Sequence, residues 1–117
     1  MNSLDELRLN DFLQHMLQAI ERIEAYIEDH SEIQFLNTTI LQDAVVRNIE
    51  ILGEASNNLM KRFPEFISAH PGVPWEAIYY MRNRIIHGYV SIDYELVWIV
   101  ITKDLPELQK QLLAIKG

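Results

Sequence analysis

The stretch "TILQDAVVRNIEILGEASNNLMKRF", residues 39–63, decides the fold. Within it Leu41, Ala44, Val45, Ile49, Leu52, Ala55 and Leu59 return at spacings of three and four, the period that lines one face of a helix. Nothing in the stretch alternates with a period of two. It is predicted to be a long amphipathic helix. Gly53 interrupts it, and a mid-helix glycine costs roughly 1 kcal/mol relative to alanine. Its presence predicts that another helix approaches closely there.

Towards the N-terminus, Ser3 and Glu6 have the spacing of a capping box, in which each side chain satisfies a free backbone N–H. Leu4, Leu7, Phe12, Leu13, Met16, Leu17, Ile20, Ile23 and Ile27 follow at helical spacing and predict a first long helix to about residue 29. "DHSEIQFLNTT", residues 29–39, turns the chain, with Ser31 placed to cap a short turn around Phe35. Towards the C-terminus, Pro64 and then "HPGVP", residues 70–74, end the central helix.

Pro74 suits the first position of a third helix, where its missing N–H does no harm. Trp75, Ile78, Ile85 and Tyr89 run along one side of that helix, and Gly88 lies near its end. "SIDYELVWIVITKDLPELQKQLLAIK", residues 91–116, reads as the last helical segment, kinked or split by Pro106. The expected fold is all-α, an antiparallel bundle of four to five helices forming a single domain over residues 1–117.

Composition narrows the function. The chain carries a net charge of -7, which argues against indiscriminate nucleic-acid binding through a broad basic surface. A local basic site stays open, because Arg47, Lys61, Arg62, Arg82 and Arg84 lie mid-chain while acids crowd from Asp5 to Glu32. There is no cysteine, so disulfides and Cys-based zinc sites are excluded. No apolar run approaches the ~18 residues that span a membrane, and the N-terminus lacks a secretory pattern. A cytoplasmic protein without a membrane or DNA partner is expected.

The chemistry concentrates in "MRNRIIHGYV", residues 81–90. Asn83 and His87 are four apart and share a helix face. Arg82 and Tyr89, seven apart, share a stripe with Ile78 and Ile85, which puts Arg82 on the apolar side. A buried guanidinium cannot shed its charge and needs acceptors. Two accounts fit. In the structural one, Arg82 pairs with a carboxylate of the central helix, Glu50 or Glu54, and His87 terminates its own helix, where the dipole favours it.

In the functional account, Arg82 binds a phosphate, Asn83 orients the phosphate or a hydroxyl, and His87 moves a proton. Histidine titrates near neutrality, and arginine offers a fixed fork of donors to phosphate oxygens. These are the needs of RNA cleavage without a metal or other cofactor. On an ideal helix Arg82 and His87 stand ~140° apart. A two-fold dimer that sets two copies of the helix together is therefore the favoured way to build one cleft, with a loosened helix end at Gly88 as the other route.

Other candidates are weaker. His15, His30 and His70 are scattered, without metal-ligand spacing. Asp43, Glu50 and Glu54 suit a solvated face or an arginine partner better than a di-iron site. Trp75 and Trp98 read as core anchors, and Tyr79 and Tyr80 fit either packing or base stacking.

"RNRIIHGY", residues 82–89, resembles the Arg-Asn-x-x-x-His signature of HEPN domains, in the form extended to a tyrosine that HepT-type toxins carry. "LQDAVVRNIEILGEASNNL", "PGVPWEAIYYMRNRIIHGY" and "IDYELVWIVITKDLPEL" resemble successive blocks of the HepT-like family, in order and at similar spacing. The resemblance implies a homodimeric bundle with facing motifs, acting as a metal-independent endoribonuclease toxin. It implies Arg82 and His87 as catalytic residues and Asn83 in support. It also implies a partner, a minimal nucleotidyltransferase antitoxin that transfers AMP from ATP onto Tyr89. The competing expectation is a non-catalytic helical subunit of a nucleotidyltransferase complex, with Arg82 as a phosphate anchor and no proton transfer.

Overall fold

A computed structural model of the protein describes residues 3–86 and 91–116. The central stretch forms α3, Thr39–Arg62, and buries Leu41, Val45, Ile49, Leu52, Ala55 and Leu59 along one face. The helix α1, Ser3–Ile27, lies antiparallel to it and buries Leu9, Leu13, Met16, Leu17, Ala19, Ile20 and Ile23. Leu4 and Leu7, expected in that stripe, are instead more than half exposed.

Between the two long helices, α2 spans Glu32–Leu36. Ser31 caps it as expected. The Gln34 N–H donates to Ser31 Oγ at 3.2 Å, and the Ser31 N–H donates to Gln34 Oε1 at 2.8 Å. This reciprocal pair satisfies two free donors and holds a helix too short to persist alone. Phe35 points fully into the core. Gln42 of α3 donates through Nε2 to the Phe35 and Leu36 carbonyls, each at 3.1 Å, and closes the other end of α2.

Pro64 does two jobs. It ends α3 and occupies the first position of a short helix, α4, Pro64–Ala69, which sequence patterning does not anticipate. Proline terminates one helix because it lacks an N–H, and suits the first turn of the next for the same reason. The next helix, α5, spans Trp75–Ile85 with Pro74 as its cap rather than its first residue. Its start is fixed by two bonds. Ser56 Oγ, fully buried in α3, donates to the Trp75 carbonyl at 2.7 Å, and Trp75 Nε1 donates to the His70 carbonyl at 3.0 Å. Trp75 is thus the core anchor expected of it. Trp98 is half-buried, its ring 5.4 Å from that of Phe35.

Antiparallel to α3, α5 crosses it at Gly53, as the glycine predicts. A Cβ built on Gly53 would stand 3.4 Å from the Ile78 carbonyl oxygen and 3.5 Å from that of Tyr79. Backbone therefore lies against backbone at this crossing. The C-terminal segment is α6, Tyr94–Ile99, a π-turn over Val100–Asp104, and α7, Leu105–Lys116. Pro106 accounts for the break. Just ahead of it the Leu105 N–H donates back five residues to the Val100 carbonyl. The wider turn admits an extra residue where the ring would otherwise meet the preceding turn. The helix is re-registered rather than ended.

The described residues thus form an all-α bundle. Its core joins buried residues of α1, α3 and α5 to Val97, Val100, Ile101, Leu105, Leu108 and Leu112. Tyr94 sets its ring edge-on to Phe35 at 6.2 Å. Burial, with the Asp43 carboxylate adding to it, raises its phenol above the ordinary value of 10.0. No helix among the described residues is long and apolar enough to cross a membrane.

Candidate active site

Two of the residues expected to carry the chemistry, Arg82 and Asn83, sit in the last turn of α5. Ile78, Met81 and Ile85 are buried there, whereas Arg82, Asn83 and Arg84 are exposed. The expectation that Arg82 lies on the apolar side is therefore corrected. Met81 supplies the reason. With Met81 in the core, the centre of the apolar face moves away from Arg82, which is left on the shoulder facing α3. Its Nε lies 4.0 Å from Glu50 Oε1, with the two side chains 53% and 37% exposed. Glu50 is one of the two partners expected from sequence. An exposed pair at that distance contributes about 0–1 kcal/mol, so it does not immobilise the guanidinium. Among the described residues Arg82 makes this exposed pair and not the buried salt bridge expected.

The helix ends sooner than its apolar spacing suggests. Ile86 is extended at φ -105° and ψ 115°, and forms an isolated antiparallel bridge with Ile92. The Asp93 N–H donates to the Ile85 carbonyl at 2.7 Å, and Asp93 Oδ1 accepts from the Leu96 N–H at 3.1 Å to cap α6. Two β-branched residues, Ile85 and Ile86, thus meet the incoming strand-like segment instead of continuing the helix. The end of α5 and the start of α6 are pinned together.

His87, Gly88 and Tyr89 lie outside the described residues. The ~140° separation computed for a continuous helix does not apply, because α5 stops between Arg82 and His87.

Arg82 opens onto a groove of about 290 Å³ lined by Phe12 and His15 of α1 and by Arg47, Glu50, Glu54 and Asn58 of α3. The stripe from Arg47 to Asn58 is the polar edge of the same α3 whose other face builds the core. Sequence spacing leaves His15 and Arg47 unassigned, because only the packing of α1 and α5 on either side of α3 brings them beside Arg82. Among the described residues, no group of three or more His, Asp or Glu side chains is arranged to hold a metal ion. The groove offers instead two guanidinium groups, an imidazole, two carboxylates and an amide over an apolar floor that includes Ile51 and Ala55. Such a mixture can hold a charged group at its rim and a planar ring below.

The fold and the groove define a class of small all-α bundles with an exposed Arg-Asn pair at one helix end. Within that class the chain is specific: residues 16–115 match the Ribonuclease HepT-like family, and the protein belongs to it. Among its relatives is a "Probable ribonuclease HepT" of Thermococcus cleftensis, 35% identical over 99 residues covering 85% of this chain and 87% of that one. A "Putative RNase" of Caldanaerobacter subterraneus subsp. tengcongensis is 39% identical over 104 residues, 89% of this chain and 90% of that one.

A third relative, from Methanocaldococcus jannaschii, is named "Gamma-glutamylcyclotransferase and putative RNase". It is 41% identical over 104 residues, which make up 89% of this chain but 46% of that protein. The chain therefore spans under half of this longer relative. No solved structure matches the chain.

Proposed function

We propose that the protein is a metal-independent endoribonuclease and the toxin of a toxin–antitoxin pair. Membership of the HepT-like family supports the ribonuclease reading, and so do the names of its relatives. The observation that carries it to residues is the exposed Arg82, held only loosely by Glu50 at the mouth of a polar groove. A structural arginine would be buried and fully paired. This one is free to accept a better anion.

In the proposed reaction the ribose 2′-oxygen attacks the adjacent phosphorus while its proton leaves. The bond from phosphorus to the 5′-oxygen breaks, and that oxygen gains a proton. The products are a 2′,3′-cyclic phosphate and a 5′-hydroxyl. His87 carries one of the two proton transfers, since an imidazole exchanges protons near neutrality. Arg82 offers its donors to the phosphate oxygens, whose negative charge grows in the transition state. Asn83, adjacent on α5, keeps the phosphate or the attacking hydroxyl in place.

The chain acts as a homodimer, and the partner is a minimal nucleotidyltransferase antitoxin. That enzyme joins the Tyr89 phenol oxygen to the α-phosphorus of ATP and releases pyrophosphate. AMP on Tyr89 lies two residues from His87 in sequence, where a bulky anion repels RNA phosphate and competes for Arg82.

The test is cleavage of RNA by purified protein in EDTA, against Arg82→Ala and His87→Ala. Either substitution should lower the rate at least ~100-fold, in the range lost with a positioned acid–base or charge-stabilising group. Variants that cut as fast as the unmodified protein would sink the assignment. Incubation with the antitoxin and ATP should add the mass of AMP, and Tyr89→Phe should abolish the adduct. A persisting adduct moves the acceptor elsewhere.

A further inference from the structure

The groove at Arg82 does not end at Asn58. Phe12, which lines it, has its ring 6.5 Å from that of Phe63, and the Arg62 guanidinium lies 5.6 Å over the Phe12 ring. Phe63 and Arg62 in turn line a second, wider groove of about 840 Å³ that includes Arg8. Phe12 and its covering Arg62 thus form the sill between two adjoining grooves. Four of the six arginines in the chain, Arg8, Arg47, Arg62 and Arg82, line these grooves, interleaved with the carboxylates Asp5, Glu50, Glu54 and Glu65.

We infer that this α1–α3 face is a track for single-stranded RNA, leading from the scissile phosphate at Arg82 over Phe12 to Arg62 and Arg8. The inference rests on the ribonuclease reading for the position of its starting point. Three observations support the choice of ligand. Among the described residues, neither Arg8 nor Arg47 makes an ion pair, so both are available to phosphates. Arg47, Ile51, Ala55, Asn58 and Arg62 follow one another at spacings of three and four, so Arg47 and Arg62 lie on one line about 22 Å long.

The third observation is the sill itself. Half-buried Phe12 and Phe63 lie between the arginines, with the Arg62 guanidinium carbon 5.6 Å over the Phe12 ring. Alternation of cations with stacking surfaces is how single strands are held without reading a duplex, and guanidinium planes stack on bases as aromatic rings do. Duplex RNA would present its bases edge-on and leave this sill unused. The carboxylates Glu50 and Glu54 that line the first groove suit the amino groups of unpaired bases rather than phosphates.

The experiment compares full-length His87→Ala with the same chain carrying Arg8→Gln and Arg62→Gln, using a fluorescent single-stranded RNA of about twelve nucleotides, a length within the known range for single-strand sites. Anisotropy titrations at several salt concentrations should show at least a tenfold loss of affinity. The slope of log K against log salt should become shallower by about 1.4, as expected for two lost phosphate contacts on a single strand. Arg62→Lys should recover less than half of the affinity lost at that position, because lysine keeps the charge without the plane.

Unchanged affinity and slope in the double variant would overturn the track. Equal loss on a dinucleotide, too short to reach the sill, would also overturn it. The two readings separate cleanly. RNA that binds with the predicted slope yet is never cut by the unmodified protein removes the ribonuclease reading and leaves the track. RNA cut with unchanged KM by Arg8→Gln/Arg62→Gln removes the track and leaves the ribonuclease.

Discussion

Arg82 separates structure from function because its surroundings assign it so little structural work. It is exposed, and its one ion pair among the described residues, to Glu50, is at 4.0 Å. Arg82→Ala should therefore change stability by less than about 1 kcal/mol, where loss of a buried ion-pair partner would cost about 3–5 kcal/mol. Thermal or urea unfolding of the variant checks this directly. A large destabilisation would mean that Arg82 holds the fold, and any loss of cleavage would then say nothing of catalysis. The sequence names Glu50 as one of two candidate partners for Arg82, as the structure has it, but misplaces the Arg82 side chain. Ile78 and Ile85 define a face, yet its centre depends on Met81, which a stripe drawn through Trp75, Ile78 and Ile85 leaves out. Burial is a property of what lies opposite, and that is not written in the helix itself.

Between elements, the crossing of α3 and α5 sets where Arg82 stands relative to the α3 groove. Gly53 makes that crossing, but a methyl group there would rest in ordinary van der Waals contact with the Ile78 and Tyr79 backbone. Gly53→Ala should thus be neutral or stabilising by up to about 1 kcal/mol, the helix-propensity gain, with cleavage unchanged. Gly53→Leu should push α5 outward, lower stability by about 1–3 kcal/mol as overpacked sites do, and reduce kcat as Arg82 shifts. Unfolding midpoints and cleavage rates of the two variants test the pair, and equal behaviour would mean that the crossing does not position the site.

Long elements are legible from period alone, as α1 and α3 show, and so is the Ser31 cap of α2. The short helix α4 is not, because Pro64 reads as a stop signal and its role in opening the next helix depends on the direction the chain takes. The end of α5 is equally hidden. Ile85 and Ile86 look like continued helix, and only the contact with Ile92 and Asp93 turns them away. The groove at Arg82 is the least legible feature. His15 and Arg47 are ordinary polar positions until α1 and α5 are laid along either side of α3.

At the scale of the whole molecule, the early end of α5 changes the case for a dimer. The helical angle between Arg82 and His87 no longer argues for it, since no continuous helix joins them. What remains is exposure: Arg82, Asn83 and Arg84 at the end of α5 are uncovered, and a second copy facing them would supply a second set to one cleft. The dimer should sediment at about 27 kDa, twice the 13.7 kDa chain. If each cleft takes Arg82 from one protomer and His87 from its partner, inactive Arg82→Ala and His87→Ala proteins should complement on mixing. Half of randomly exchanged dimers are mixed, and one of the two clefts in each is then intact, so recovery should approach about a quarter of full activity. Sedimentation as a monomer at micromolar concentration would rule out the dimer itself. Mixed dimers without recovered cleavage would instead place Arg82 and His87 of one chain on the same phosphate, each protomer cutting with its own pair.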